Sequence, residues 1–367
     1  MNRRKFLQYG ALFLGVGGFC FLHSQNEKNI LENISLNNTD ISKTPCRVPF
    51  EFCEIIEGGN VLPCCQAYMK KYVSFGNIYN QNFDKIWNSK TANDFRRRIL
   101  KGDFSLCERK ICHYKPLEDI ESIKDYKLGP KNIKLSYDYE CNYRCITCRD
   151  EIVTNPPNQL ELYNEELLPK LLEIAPNAEI IGLSGSGDPL VSSHSRRVLK
   201  EICKKNPKIK FDLFSQGYLL DEKNLTELGI INNLREVAIS LDSTTKETYE
   251  KILRIDAFDR VMKNLKFVSK LKQQGKVKKF VINCVVHSMN YKEMYDFAKL
   301  AESLDAIAFF STYQPWPSAE MHKRYSEVAV FEPYHKDYNE LKEILHNPIF
   351  LGEHCTLNST LLQIALS

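Results

Sequence analysis

The chain has 367 residues, 43% apolar and 26% charged, with a formal charge of +4, a profile of a globular protein with room for two domains. Arg3, Arg4 and Lys5 supply three of those charges, leaving about +1 for the rest (+4 minus 3), and nothing in that balance suggests nucleic acid, which needs a basic face. Thirteen cysteines, most of them in clusters with metal-ligand spacings, favour metal sites over a disulfide scaffold in a reducing compartment.

In chain order, residues 1–24 come first. Asn2-Arg-Arg-Lys-Phe-Leu-Gln8 is similar to a twin-arginine export signal, and Ala11–Leu22 is apolar with three glycines. That run is short for a transmembrane helix, so a signal or short membrane anchor is expected, with a buried N-terminal helix as the alternative. Residues 25–45 are polar and without periodicity, a linker. Residues 46–115 form a cysteine-rich block with Cys46, Cys53, Cys64, Cys65, Cys107 and Cys112. Asn60 to Cys65 reads as the tip and return strand of a hairpin turning at Gly58-Gly59. Neighbours on such a strand point to opposite faces, so only one of Cys64 and Cys65 reaches a common site. Downstream come Gly76-Asn77-Ile78, Ile86-Trp-Asn-Ser89 and a helix through Phe95. Arg96–Arg98 on that helix are expected to be solvated, with docking of an anionic substrate or redox partner as the alternative. The block suits an iron–sulfur cluster, a closed zinc site or disulfides. Residues 116–131 are a second linker, ending near Gly129-Pro130.

From residue 132 the pattern changes to strand-then-helix units. Six apolar, β-branched runs are predicted strands: Ile133–Tyr137, Glu179–Leu183, Ile209–Phe214, Glu236–Leu241, Phe280–Val286 and Ala306–Ser311. Helical periodicity covers Leu160–Ile174, Ser195–Lys205, Glu222–Leu228, Phe258–Gln273 and Tyr291–Leu304. The order predicts an α/β fold with a parallel sheet and its site at the strand C-termini. Composition allows a partial barrel and an open doubly wound sheet equally. Residues 312–367, with Trp316, His322, His335 and a helix over Asp337–Leu345, read as an extension packed on the sheet, and Cys355 as a buried structural cysteine.

The chemistry concentrates after the first of these strands. Cys141, Cys145 and Cys148 are spaced Cys-x3-Cys-x2-Cys with no fourth cysteine or histidine nearby. Three thiolates can hold three irons of a four-iron cluster and leave the fourth open, whereas structural zinc wants a closed set of four ligands. After the second strand comes the glycine turn Gly182-Leu-Ser-Gly-Ser-Gly-Asp-Pro-Leu190, where backbone can approach a ligand closely. The third strand ends in Phe214-Ser-Gln-Gly217. The fourth reads Val237-Ala-Ile-Ser-Leu-Asp242, followed by Thr245-Lys-Glu-Thr-Tyr249 and Ile252-Leu-Arg254. Asp242 is read either as a ribose ligand or as the cap of the next helix, and His287 either as a proton donor or as a structural histidine.

These motifs resemble the radical S-adenosylmethionine (radical SAM) superfamily, and the cysteine-rich block resembles the SPASM and twitch auxiliary-cluster domains, here placed N-terminal. The resemblance tips the fold to a partial (βα)6 barrel over residues 132–311 preceded by a small SPASM/twitch-like domain. It implies a [4Fe-4S] cluster on Cys141, Cys145 and Cys148 and an auxiliary [4Fe-4S] cluster on Cys46, Cys64, Cys107 and Cys112. It also implies S-adenosyl-L-methionine bound by Gly185, Ser186, Gly187, Asp188, Ser240 and Arg254. Many relatives carry an aromatic residue where this chain has Thr147, which leaves adenine cover to Tyr143 or the fifth strand. The implied activity is one-electron cleavage of SAM to a 5′-deoxyadenosyl radical that abstracts hydrogen from a peptide or sugar-type substrate. The implied partners are a flavodoxin- or ferredoxin-type reductant and that substrate, and no nucleic acid. The auxiliary cluster is expected to take the electron left on the substrate or to ligate the substrate. SAM and reductant are cytoplasmic supplies, so a cytoplasmic, membrane-associated protein is expected, with twin-arginine export as the alternative. A zinc-binding interaction module and an exported disulfide-stabilised protein are the competing readings.

Overall fold

A computed structural model describes residues 44–367 apart from 109–111, 113–114, 184–186 and 316–319. The expected signal or anchor, most of the first linker, Gly185, Ser186 and Trp316 therefore lie outside the described residues. Ten strands form one sheet: β1 Phe52–Ile56, β2 Asn60–Leu62, β3 Gly76–Asn77, β4 Asn132–Ser136, β5 Ile180–Leu183, β6 Lys210–Ser215, β7 Leu234–Ser240, β8 Lys279–Val286, β9 Ile307–Thr312 and β10 Cys355–Leu357. Their order is β10-β9-β8-β7-β6-β5-β4-β1-β2-β3.

The six predicted strands are β4 to β9, adjacent in sequence order and all parallel. Helices return the chain between most of them, as right-handed crossovers of parallel strands require. The sheet is wider than the six-stranded prediction on both sides. On one side β10, from the C-terminal extension, pairs parallel to β9. On the other, β1 pairs parallel to β4 over five residues, from Phe52 opposite Asn132 to Ile56 opposite Ser136. The cysteine-rich block is thus joined to the barrel through main-chain hydrogen bonds. Only β2 runs against the others, antiparallel to both β1 and β3, and it stops at Leu62 because Pro63 has no N–H to donate.

Local sequence explains most helix limits. Ser192 caps Ser193–Lys205 by accepting the Ser195 N–H, and Asp221 caps Glu222–Leu228, which ends on left-handed Gly229. The predicted helix Leu160–Ile174 is interrupted by a π turn over Leu162–Leu167. Pro169 follows two residues after its end, and its missing N–H and bulky ring are what a wider turn accommodates. Lys246–Leu253 forms a further helix that periodicity did not single out.

Alternation along the strands sorts the sheet faces. Leu213, Val237, Ile239, Phe280 and Ile282 join the large helix-facing core, while Ala238, Val281 and Phe309 form a small separate cluster on the other face. That second face also carries a row of charge in register: Glu54 opposite Lys134, Asp212 opposite Glu236, and Glu236 opposite Lys279.

Arg96 departs from the solvated face expected for Arg96–Arg98. It is 2% exposed, its guanidinium 4.1 Å from the Trp87 ring and 5.0 Å from those of Phe75 and Tyr126. Its N–H groups donate to the Pro49 and Trp87 carbonyls at 2.9 and 2.7 Å. A guanidinium that stacks on rings and finds carbonyl acceptors tolerates burial. Arg97 and Arg98 are exposed and pair with Asp94 and Asp103.

Candidate metal centres

The loop after β4 is fastened at several points before it reaches its cysteines. Asp138 accepts the hydroxyls of Ser192 and Ser195, both at 2.5 Å, and the Asn155 side-chain amide at 2.8 Å. Cys141 and Val153 exchange backbone hydrogen bonds at 2.9 and 3.2 Å. The glycine turn after β5 interlocks with this loop: the Asp188 N–H donates to the Glu140 carbonyl at 2.8 Å. A Cβ on Gly187 would stand 2.4 Å from that same oxygen. Gly187 is therefore fixed by close approach of two backbones, the service for which glycine is suited. The Ile146 N–H donates to the Ile252 carbonyl at 2.9 Å, tying the loop to the helix that ends at Arg254.

Cys141 and Cys145 are buried and Cys148 is half-buried. Burial pushes the Cys145 thiol well above its usual range, and the neighbouring Cys148 and Cys141 push it further. Cys141 is pushed up to about 11, chiefly by burial, against the pull of Arg149. Arg149 donates from Nε to Cys148 Sγ at 3.3 Å and from a terminal nitrogen to the Tyr139 carbonyl at 3.0 Å. Burial works to lower this guanidinium, yet Cys148 and Cys141 leave it raised. Sequence reasoning missed Arg149. Its place directly after the third cysteine was the available signal, because a cation beside clustered thiolates offsets their repulsion.

In the cysteine-rich block, burial again raises the Cys64 thiol most, followed by Cys112, Cys46 and Cys107 in turn. Four sulfurs from distant points of the block thus share one electrostatic neighbourhood. Cys53 faces away in the core of β1, wholly buried, with its thiol raised by burial. Cys65 is buried as well. Among the described residues no three His, Cys, Asp or Glu side chains stand at ligating spacing. Within each set the thiols are near enough to raise one another's pKa. Both sets fit iron–sulfur chemistry by donor type, three soft sulfurs with an open position in one and four in the other.

The remaining expected ligands are placed as follows. Asp188 is 1% exposed. Its carboxylate accepts from the Leu190 N–H, the Ser215 hydroxyl and the Gln216 N–H, each at 2.9 Å. The side chain thereby fastens the glycine turn to the end of β6, and what remains for a ligand is the backbone of the turn. Ser240 is half-buried at the last position of β7, opposite Asn283. Arg254 is half-buried in a left-handed conformation (φ 55°) at the end of Lys246–Leu253. Tyr143 is wholly buried with its hydroxyl 3.1 Å from that of Tyr249.

Two further sequence readings change. Asp242 does not cap the following helix, because Thr245 does so by accepting the Thr248 N–H. Asp242 lies buried with φ 61° and accepts the Val285 N–H at 2.8 Å. Burial pushes its carboxyl up to about 7. His287 is wholly buried, and burial holds its imidazole down to about 3. It is therefore neutral at pH 7 and has no imidazolium proton to give.

The Asp242 carboxyl carries a pH prediction. A folded pKa near 7 against 3.8 for the free group means that the folded protein keeps a proton that the unfolded chain releases. Stability therefore falls as pH rises from about 4 through about 7. Asp242→Asn removes that titration and tolerates the positive φ. Its urea midpoint should fall less between pH 5 and 8 than that of the parent, and equal slopes would refute the assignment.

Comparison with known proteins follows the same division. Residues 46–114 match the family model described as an iron–sulfur cluster-binding domain, SPASM. Residues 138–301 match that of the radical SAM superfamily. A GTP 3′,8-cyclase of Aliarcobacter butzleri is 29% identical over 175 residues, 46% of this chain and 51% of that protein. A probable GTP 3′,8-cyclase of Saccharolobus islandicus is 27% identical over 179 residues, 47% and 54%. The chain thus spans about half the length of these curated relatives. Among solved structures, Streptococcus suis SuiB bound to the precursor peptide SuiA aligns with a TM-score of 0.44 at 14% identity, covering 86% of this chain and 71% of SuiB. Escherichia coli coproporphyrinogen III oxidase (HemN) aligns at 0.43 and 14%, covering 61% and 54%.

Proposed function

From a chain that carries a radical SAM domain over residues 138–301 behind a SPASM iron–sulfur domain over residues 46–114, we propose an enzyme that cleaves S-adenosylmethionine reductively and abstracts hydrogen from a peptide or small-molecule substrate. The observation that carries this reading is that Cys141, Cys145 and Cys148 lie within electrostatic reach of one another on a loop interlocked with a glycine turn. When bound, a [4Fe-4S] cluster and SAM supply the one-electron chemistry, which no side chain provides. The residues' own work is to hold and orient. The three cysteine thiolates would hold three irons, and Arg149 donates to one of those sulfurs. The turn at Gly187 and Asp188 offers backbone, Ser240 a hydroxyl and Arg254 a guanidinium suited to a carboxylate. Cys46, Cys64, Cys107 and Cys112 would hold an auxiliary cluster.

The C-terminal extension lies over the same end of the sheet. The Met321 N–H donates to the Ile146 carbonyl at 3.4 Å, and the Ser288 N–H to the Val328 carbonyl at 2.9 Å. Such a cover excludes water from a radical reaction. A flavodoxin- or ferredoxin-type reductant and a cytoplasmic setting follow from the need for SAM and low-potential electrons. No helix among the described residues is long and apolar enough to cross a membrane.

The test is dithionite-driven formation of 5′-deoxyadenosine by anaerobically reconstituted protein, which needs no knowledge of the substrate. Iron should reach about eight per chain. A colourless protein that holds zinc, or iron below about three per chain, would sink the reading.

A further inference from the structure

We propose that Arg149 is a positioning residue that sets the potential at which the three-cysteine centre takes up its electron, through a hydrogen bond aimed at Cys148 Sγ and braced from the far side of the loop. The inference rests on the proposed function for the identity of that centre and adds the side chain that governs its reduction.

The placement of Arg149 begins in its own stretch of chain. It follows Cys148 directly, and the Cys148 and Arg149 N–H groups both donate to the Cys145 carbonyl at 2.9 Å. That turn folds the side chain back over the loop it has just left. Nε donates to Cys148 Sγ at 3.3 Å, while a terminal nitrogen donates to the Tyr139 carbonyl at 3.0 Å. Tyr139 stands two residues before the first cysteine, so the guanidinium spans the loop from its entry to its exit. A rigid, planar fork with one arm fastened to a carbonyl has little freedom left in the other. The bond to sulfur is therefore held in direction as well as in length.

The surroundings say what that bond does. Asp188 pushes the Cys141 thiol up and Asp242 the Cys145 thiol, on top of their burial, whereas Arg149 pulls both down. Cys148, half-buried where the other two are buried, receives the hydrogen bond itself. In return the three thiols raise the guanidinium against the effect of its own burial. Whatever favours negative charge on these sulfurs also favours an extra electron spread over them. Iron–sulfur potentials follow net charge, hydrogen bonds to sulfur and exposure to water. Here burial and two carboxyls work against the added electron, and Arg149 works for it both as a charge and as a donor. In that step one electron passes from the flavodoxin- or ferredoxin-type reductant to the centre. No covalent bond forms or breaks, and the guanidinium keeps its proton throughout.

Arg144 supplies the comparison. It lies between Cys141 and Cys145 on the same loop with the same charge, but it is exposed, where water and salt screen it.

The test is a redox titration of the full chain, loaded anaerobically and followed by the paramagnetic signal of the three-cysteine centre. The signal of the other cluster is identified beforehand in Cys145→Ala. At the parent's midpoint the ratio of reduced to oxidised centre should fall about tenfold in Arg149→Gln, the loss of one hydrogen bond to a charged group. For a one-electron couple that is a midpoint lower by about 59 mV. Arg149→Lys keeps the charge without the fork and should recover less than half of the shift. It also serves as the test should Arg149→Gln fail to hold iron. In Arg144→Gln the ratio should change by less than about threefold, and in every variant the other cluster should keep its midpoint. A shift in Arg149→Gln no larger than that in Arg144→Gln, or full recovery in Arg149→Lys, would overturn the proposal. A parent that forms 5′-deoxyadenosine while these midpoints coincide would overturn this inference alone. A parent with no reducible cluster on Cys141, Cys145 and Cys148 would sink the proposed function with it.

Discussion

Cys145→Ala should abolish 5′-deoxyadenosine formation and lower the iron content by about four per chain. Cys145 is the middle of the three proposed ligands, and its thiol responds to both Cys148 and Cys141. Two remaining sulfurs cannot hold a four-iron cluster that needs three. The loop itself should survive, because its fastenings at Asp138, Gly187 and Ile146 do not involve the Cys145 side chain. Cys53→Ala is the control. Cys53 is wholly buried on β1 opposite Ile133 and acts as a small core hydrophobe. Its loss should cost about 1–2 kcal/mol of stability and leave SAM cleavage in place. Equal loss of activity in both variants would refute the ligand assignment.

Lys134→Met should be the most destabilising single change on the charged face, by about 3–5 kcal/mol. Lys134 and Glu54 sit on adjacent strands of different sequence blocks and form a buried pair at 3.0 Å. Glu54 also accepts the Ser136 hydroxyl at 2.7 Å and the Gln66 N–H at 3.1 Å. Those bonds hold the carboxylate in place but do not neutralise it. Removing the ammonium therefore leaves a buried charge without its partner, a loss that is large beside a total stability of about 5–15 kcal/mol. Glu54→Gln added to Lys134→Met should recover much of the loss, because the amide carbonyl still accepts from Gln66. A double-mutant cycle in urea measures the coupling, and strictly additive losses would show that the pair does not act as a unit.

The repeating part of the fold was legible because each βα unit announces itself locally. Apolar β-branched runs end in polar turns, and β4 to β9 fall within a few residues of their expected positions. The additions on either side were not, because β1 and β10 are short and take their partners from distant sequence. Phe52–Ile56 reads as half of a hairpin, and nothing in it names β4 as its second neighbour. The cysteine spacing likewise pointed to the three-thiol loop, while Arg149 needed the folded loop to bring its guanidinium onto Cys148. Asp188 shows the reverse case. Its acidic position in the glycine turn suggested a place in the SAM-binding turn, while the structural work of its carboxylate was hidden, because the hydroxyl and two N–H groups around it come from the end of β6 and the turn itself. Arg96 was misread for a similar reason, since the rings that bury it lie at residues 75, 87 and 126.

The widened sheet also bears on how copies of this chain behave toward one another. A long parallel sheet with a bare rim invites a neighbour's strand to add on. Here the rim strands are β3, with two residues, and β10, with three. Neither offers enough contiguous main chain to seed such an addition, so the protein should stay dispersed at concentrations where a chain cut before β10 would begin to associate through the uncovered edge of β9.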